Sequence, residues 1–333
     1  MRRRRFQNIV SSSPFSLPIV AAITVVLWIA NGMSYSLTPD DGELWSTLHE
    51  RLPSIAARNV AALVLCGITA YLVAELNNEN ALIRIRTRMM SVVFLVFMGG
   101  FVFLHPLQVG HVAMVCLLLS YHTLFRTYQR YDSVGYTFHA FFFIAFASLF
   151  YSKLLFLIPF YLIALKVHLH SFTLKSFFAA LLGVVLPYWM WAVYLFYHGR
   201  IEDFLRPFEM LLLVEAPDYS VLTPQQMVAF CIVSVLALVA IVHTVRTEFA
   251  DKIRVRMLFH FFIMIEVALI AGLALHPENF NILFILFVVN SSTFISHMFA
   301  LTSNRVSNAL FIVSLSVMVL FTLYNIWITI VSY

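Results

Sequence analysis

The chain of 333 residues is 62% hydrophobic and 11% charged, against about 25% charged residues in an ordinary soluble domain. Its mean hydropathy of +0.90 is spread over the whole length and 33 residues are phenylalanine, which excludes a soluble enzyme and implies a polytopic, all-α transmembrane helical bundle with a single membrane-embedded domain, 1–333. The net charge of +5 lies in short basic clusters between apolar segments, where it orients a chain in the bilayer and gives no reason to expect nucleic acid.

A bilayer core of about 30 Å takes about 20 apolar residues per helix, somewhat fewer inside a bundle. Eleven segments qualify: Leu17–Leu37, Ile55–Ala74, Met89–Leu104, Val109–Phe125, Val134–Tyr151, Leu154–Val167, Phe177–Tyr197, Gln225–Val245, Met257–Leu275, Ile282–Leu301 and Asn308–Ile330. The fifth and sixth are the weakest, separated only by Ser152 and Lys153, and fit either a tight helical hairpin or a re-entrant pair. The N-terminal Arg2–Arg5 before an apolar run resembles a signal peptide, but Pro14 and Pro18 interrupt the run and no clear cleavage site follows, so a retained first helix is expected. With Arg2–Arg5 cytoplasmic, eleven spans leave 16 of the 21 basic residues inside and only Arg51, Arg58, Lys153, Arg200 and Arg206 outside. That asymmetry predicts a cytoplasmic N-terminus and a C-terminus on the outer side. Cys66, Cys116 and Cys231 lie in apolar stretches without metal or disulfide spacing.

Two outer segments are large enough to carry chemistry. The first, 38–54, holds Asp40, Asp41 and Glu43 and then an apolar stripe through Leu44, Trp45, Leu48, Leu52 and Ile55. Such a stripe predicts a juxtamembrane amphipathic helix holding the carboxylates at headgroup depth. There they could act as a general base or bind a divalent cation on a phosphate; a plain helix N-cap fits the same aspartates. The second, 198–223, contains an apolar run, Met210–Val214, between acids, and reads as a lid on the membrane or as a simple connection. Among the outer basic residues, Arg51, Arg58, Lys153 and Arg200 are candidates for a lipid phosphate. Snorkelling or pairing with nearby acids is the alternative, as for Arg200 with Glu202 or Asp203. Lys153 has no acid near it in sequence.

Glu266 falls near the middle of the ninth span, with His297 among Ser291, Ser292 and Ser296 of the tenth as candidate partners, and His122 or His139 as further ones. Intramembrane carboxylates mark proton or substrate pathways, and they also tie helices together. His105, His111, His276 and Glu278 lie at outer turns; a metal site there competes with simple proline-terminated helix ends.

An acidic pair directly after the first helix, then a juxtamembrane helix, resembles the C-type membrane fold of glycosyltransferases that use polyprenyl-phosphate-linked sugars. The resemblance implies a base or metal-ligand role for Asp40 or Asp41, a divalent cation as the candidate cofactor, and membrane lipids including a polyprenyl-phosphate-linked sugar as partners. The chain departs from the many members of that family that add a large outer domain after the last span. A more local resemblance, carried by Tyr131–Tyr136, Ala147–Tyr151, Leu182–Trp189 and Tyr194–Tyr197, is to an uncharacterised family of multi-pass bacterial inner-membrane proteins, which implies that location and no reaction. A transferase, a non-catalytic envelope-assembly subunit and a proton-coupled transporter built on Glu266 therefore stand as the three readings.

Overall fold

The computed structural model describes residues 5–30, 43–52, 54–212, 216–302 and 304–331, and among them every regular element is helical. The N-terminal apolar run is broken into α1 (Phe6–Ser12) and α2 (Ser16–Ala30), which meet at 90°. Pro14 lies at the break, where it donates no N–H and disfavours helix in the residue before it. α3 (Glu43–Glu50) is the short amphipathic helix, and Ser54 caps α4 (Ile55–Asn80) by accepting the Ala57 N–H at 3.1 Å. Then come α5 (Met89–Gly100), α6 (Val109–Phe125) and α7 (Val134–Ser148), a 3₁₀ turn over Ser152–Leu157, and α8 (Ile158–Val167). The second half comprises α9 (Leu174–Tyr197), α10 (Arg206–Leu212), α11 (Pro224–Thr247), α12 (Ile253–Leu275), α13 (Phe280–Leu301) and α14 (Arg305–Val331).

Six of these helices are long and apolar enough to cross a membrane, and the bent α1–α2 pair is a seventh candidate. The remaining segments expected to span are shorter: α5, α6, α7 and α8 have 12, 17, 15 and 10 residues. At 1.5 Å per residue, α7 and α8 reach about 22 and about 15 Å, less than the hydrocarbon core. The fifth and sixth expected spans are thus two helices shorter than a full crossing, joined through the Ser152–Leu157 turn.

α13 is the axis of the bundle. Every residue from Phe280 to Ala300 except Asn281 is buried, although the segment is as apolar as its neighbours. The cause is its surroundings: α11, α5, α12, α6 and α1 all pack on it. By contrast α4, α9, α11 and α14 each bury one face and turn the rest outward, as helices between protein and lipid do. Glycines set the closest crossings. A Cβ on Gly183 of α9 would stand 2.5 Å from the Phe138 carbonyl oxygen of α7, and one on Gly110 of α6 would stand 3.2 Å from the Ile282 Cα of α13.

Candidate functional site

α12 runs between two polar ends of the bundle, and its 23 residues set them about 35 Å apart. At one end the Ser152–Leu157 turn carries Lys153, whose side chain is 11% exposed and whose ammonium lies 3.3 Å from Glu278 Oε1. Glu278 belongs to the Pro277–Asn279 turn between α12 and α13; it also accepts from His276 at 3.1 Å and from Asn279 Nδ2 at 3.5 Å. Lysine and carboxylate come from positions 125 residues apart, which is why no partner for Lys153 was legible in its local sequence.

Residues 43–52 and the 198–223 segment both reach this end. α3 inserts Trp45, fully buried, edge-on against Phe150 at 6.5 Å, three residues before Lys153. The 198–223 segment folds back in two places: α10 packs against the Ser152–Leu157 turn, and Tyr219 donates to the Ala274 carbonyl at 2.8 Å beside the Glu278 turn. α10 is also held to α9 by Phe208 against Tyr188, 5.0 Å between ring centres. Hydrogen bonds from Ser220, its backbone N–H at 2.9 Å, hold the Asp218 carboxyl below its usual range.

The other residues singled out from sequence divide clearly. Asp40 and Asp41 lie outside the described residues, and Glu43 opens α3 with its side chain outside them as well. Arg58 donates to the Leu52 carbonyl at 2.6 Å, so it closes the α3–α4 turn. Arg51 is exposed in that turn. Arg200 pairs with Asp203 at 2.8 Å, the neighbouring acid that sequence offered as its partner.

Glu266 is buried between α12 and α13, with Oε2 2.5 Å from Asn290 Nδ2 and Oε1 2.5 Å from the Ser291 hydroxyl. Asn290 continues the network: its Nδ2 also donates to the Phe262 carbonyl and its Oδ1 accepts from Tyr121 of α6 at 3.2 Å. His297, the partner expected from sequence, is not one in the structure; Ser291, one of the serines around it in sequence, is. Two turns further along α13, His297 sits 3.4 Å from Asp251 Oδ2 and 3.5 Å from the Thr244 hydroxyl, and Asp251 pairs in turn with Arg84 at 2.8 Å. His122 turns to Glu79 and the Leu72 carbonyl, and His139 is exposed. Sequence reading missed Asn290, Tyr121 and Asp251. Polar residues within the apolar α6 and α13 were the available signal for the first two, and nothing local distinguished Asp251 from other loop acids.

His105 and His111 are both fully buried and are packed by Trp28, at 4.2 and 6.1 Å between ring centres. His276 is held at Glu278 instead, and no group of three or more His, Cys, Asp or Glu able to hold a metal occurs among the described residues.

No protein-family model matches the chain, and no curated protein or solved structure matches it significantly.

Proposed function

We propose that the protein is a multi-pass transferase of the bacterial inner membrane, N-terminus inside, acting at the outer face on a lipid-phosphate-linked donor such as a polyprenyl-phosphate sugar. The observation that carries this reading is the approach of residues 43–52 and the 198–223 segment to the end that holds the nearly buried Lys153. A cation held by a carboxylate at a bilayer surface, in low dielectric, attracts a phosphate far more strongly than an exposed one. Trp45 anchors α3 beside it, and the acidic segment directly precedes α3 in sequence. In this reading Lys153 holds the donor phosphate, Asp40 or Asp41 serves as base or holds a divalent cation, and α10 covers the site.

The test uses the full chain in nanodiscs. Polyprenyl phosphate should bind the wild type, and Lys153→Met should weaken binding by about tenfold or more, as expected for loss of a charge-assisted contact. Asp40→Asn with Asp41→Asn should leave binding intact and abolish sugar transfer. Equal binding by Lys153→Met at unchanged thermal stability would remove the transferase reading and leave the envelope-assembly one.

A further inference from the structure

At the opposite end of the bundle α2 and α4 diverge and leave a groove of about 490 Å³ backed by α5. Its α4 wall is one helical stripe, Leu63, Cys66, Gly67, Ala70, Ala74 and Glu75 among it, recurring at three and four residues. The gap arises from small side chains: a Cβ placed on Gly67 meets nothing within 4 Å. The back wall is fixed because the Thr24 hydroxyl of α2 donates to the Leu95 carbonyl of α5 at 3.2 Å. α2 and α5 run one way and α4 the other, so Leu17, Ala74, Glu75, Asn78 and Arg88 share one end and Val25, Leu63 and Leu95 reach toward the middle of the bundle. The groove therefore has a polar mouth and an apolar shaft.

The mouth holds charges of both signs. Glu75, Asn78 and Arg88 all line it. Neither Glu75 nor Arg88 makes an ion pair among the described residues, although neighbouring Arg84 and Glu79 are both paired, to Asp251 and to Arg126. Two opposite charges that share a mouth without neutralising each other complement a ligand that brings one of each. The geometry points to a binding site for a zwitterionic aminophospholipid of the phosphatidylethanolamine class. Its phosphate meets Arg88 and Asn78, its primary ammonium donates to the Glu75 carboxylate, and an acyl chain fills the shaft between α2 and α4. A phosphatidylglycerol headgroup would leave Glu75 facing an anion, and the quaternary ammonium of phosphatidylcholine has no N–H to donate. The site lies at the far end of the bundle from Lys153 and is independent of the function proposed there.

Native mass spectrometry of the full chain, released from detergent after equilibration with equimolar phosphatidylethanolamine, phosphatidylglycerol and phosphatidylcholine, reads the preference directly. Phosphatidylethanolamine should be retained about fivefold over either competitor, the scale of one charge contact at a membrane surface. Glu75→Gln should bring that ratio to parity, Arg88→Gln should lower retention of all three, and Gly67→Leu should block the shaft and lower retention without changing the thermal melting point. Displacement by glycerophosphoethanolamine, which carries the headgroup without chains, would overturn the acyl-chain part of the proposal. Equal retention of phosphatidylglycerol by the wild type, or an unchanged ratio in Glu75→Gln, would overturn the site.

Discussion

At the scale of single residues, buried polar groups are distinguished by how fully they are satisfied. Glu266 has a donor on each oxygen, and Asn290 joins it to Tyr121 and the Phe262 carbonyl, so one carboxylate ties α12, α13 and α6. Removing the amide leaves a buried carboxylate and a buried phenol each short of a partner, which costs more than the hydrogen bonds themselves. Asn290→Leu should therefore lower stability by about 3 kcal/mol, read as a fall in thermal midpoint in detergent. Glu266→Gln, which keeps an amide oxygen as acceptor, should cost clearly less. Equal losses in the two variants would mean that Asn290 acts through packing alone. That Glu266 would be buried could be read from its place in an apolar span; which residue it meets could not, since Asn290 and His297 stand on one face of the same helix two turns apart and only the axial register of α12 against α13 selects between them.

At the scale of elements, lengths and breaks follow from local sequence and crossings follow from small residues. Gly183 of α9 faces the α7 backbone, and Pro187, four residues on, removes the hydrogen bond that the Gly183 carbonyl would otherwise receive. Because the neighbour is a backbone oxygen and not a movable side-chain tip, Gly183→Ala must push α7 and α9 apart. A loss of about 1–3 kcal/mol is expected, against little change for Gly67→Ala, where the added methyl meets open space. Thermal unfolding of the two variants side by side checks this. The short α7 and α8 belong to the same scale: Tyr151, Ser152 and Lys153 interrupt an apolar run too long for one helix and too short for two full crossings. Sequence left a hairpin and a re-entrant pair both open there. The turn itself, which buries Lys153, is the feature that matters for the site.

For the whole molecule, the ion pairs named above sort to two ends separated by the length of α12. One holds Lys153, Glu278 and His276; the other holds Arg84, Asp251, His297 and the paired Glu79 and Arg126. If basic residues orient the chain, the second end faces the cytoplasm. In a variant with Cys231→Ser, since Cys66 and Cys116 are buried and Cys231 is exposed, a cysteine at Arg86→Cys should react with a membrane-impermeant thiol reagent only in inside-out vesicles. Ser220→Cys should react only in intact cells or right-side-out vesicles. Labelling of both from one side would overturn the orientation.

Composition and hydropathy alone determined that this is a helical membrane protein, because burying about 20 apolar residues per segment leaves few alternatives once backbone polar groups must be satisfied within each helix. The break near Pro14 and the amphipathic helix around Trp45 were legible because each depends on residues within a turn or two of one another. What only the tertiary structure decided was partnership. Lys153 with Glu278, Glu266 with Asn290, Asp251 with Arg84 and His297, and the burial of α13 among five helices all join positions far apart in the chain. In a chain this apolar, helices that face lipid and helices that face protein have the same composition, and only packing separates them.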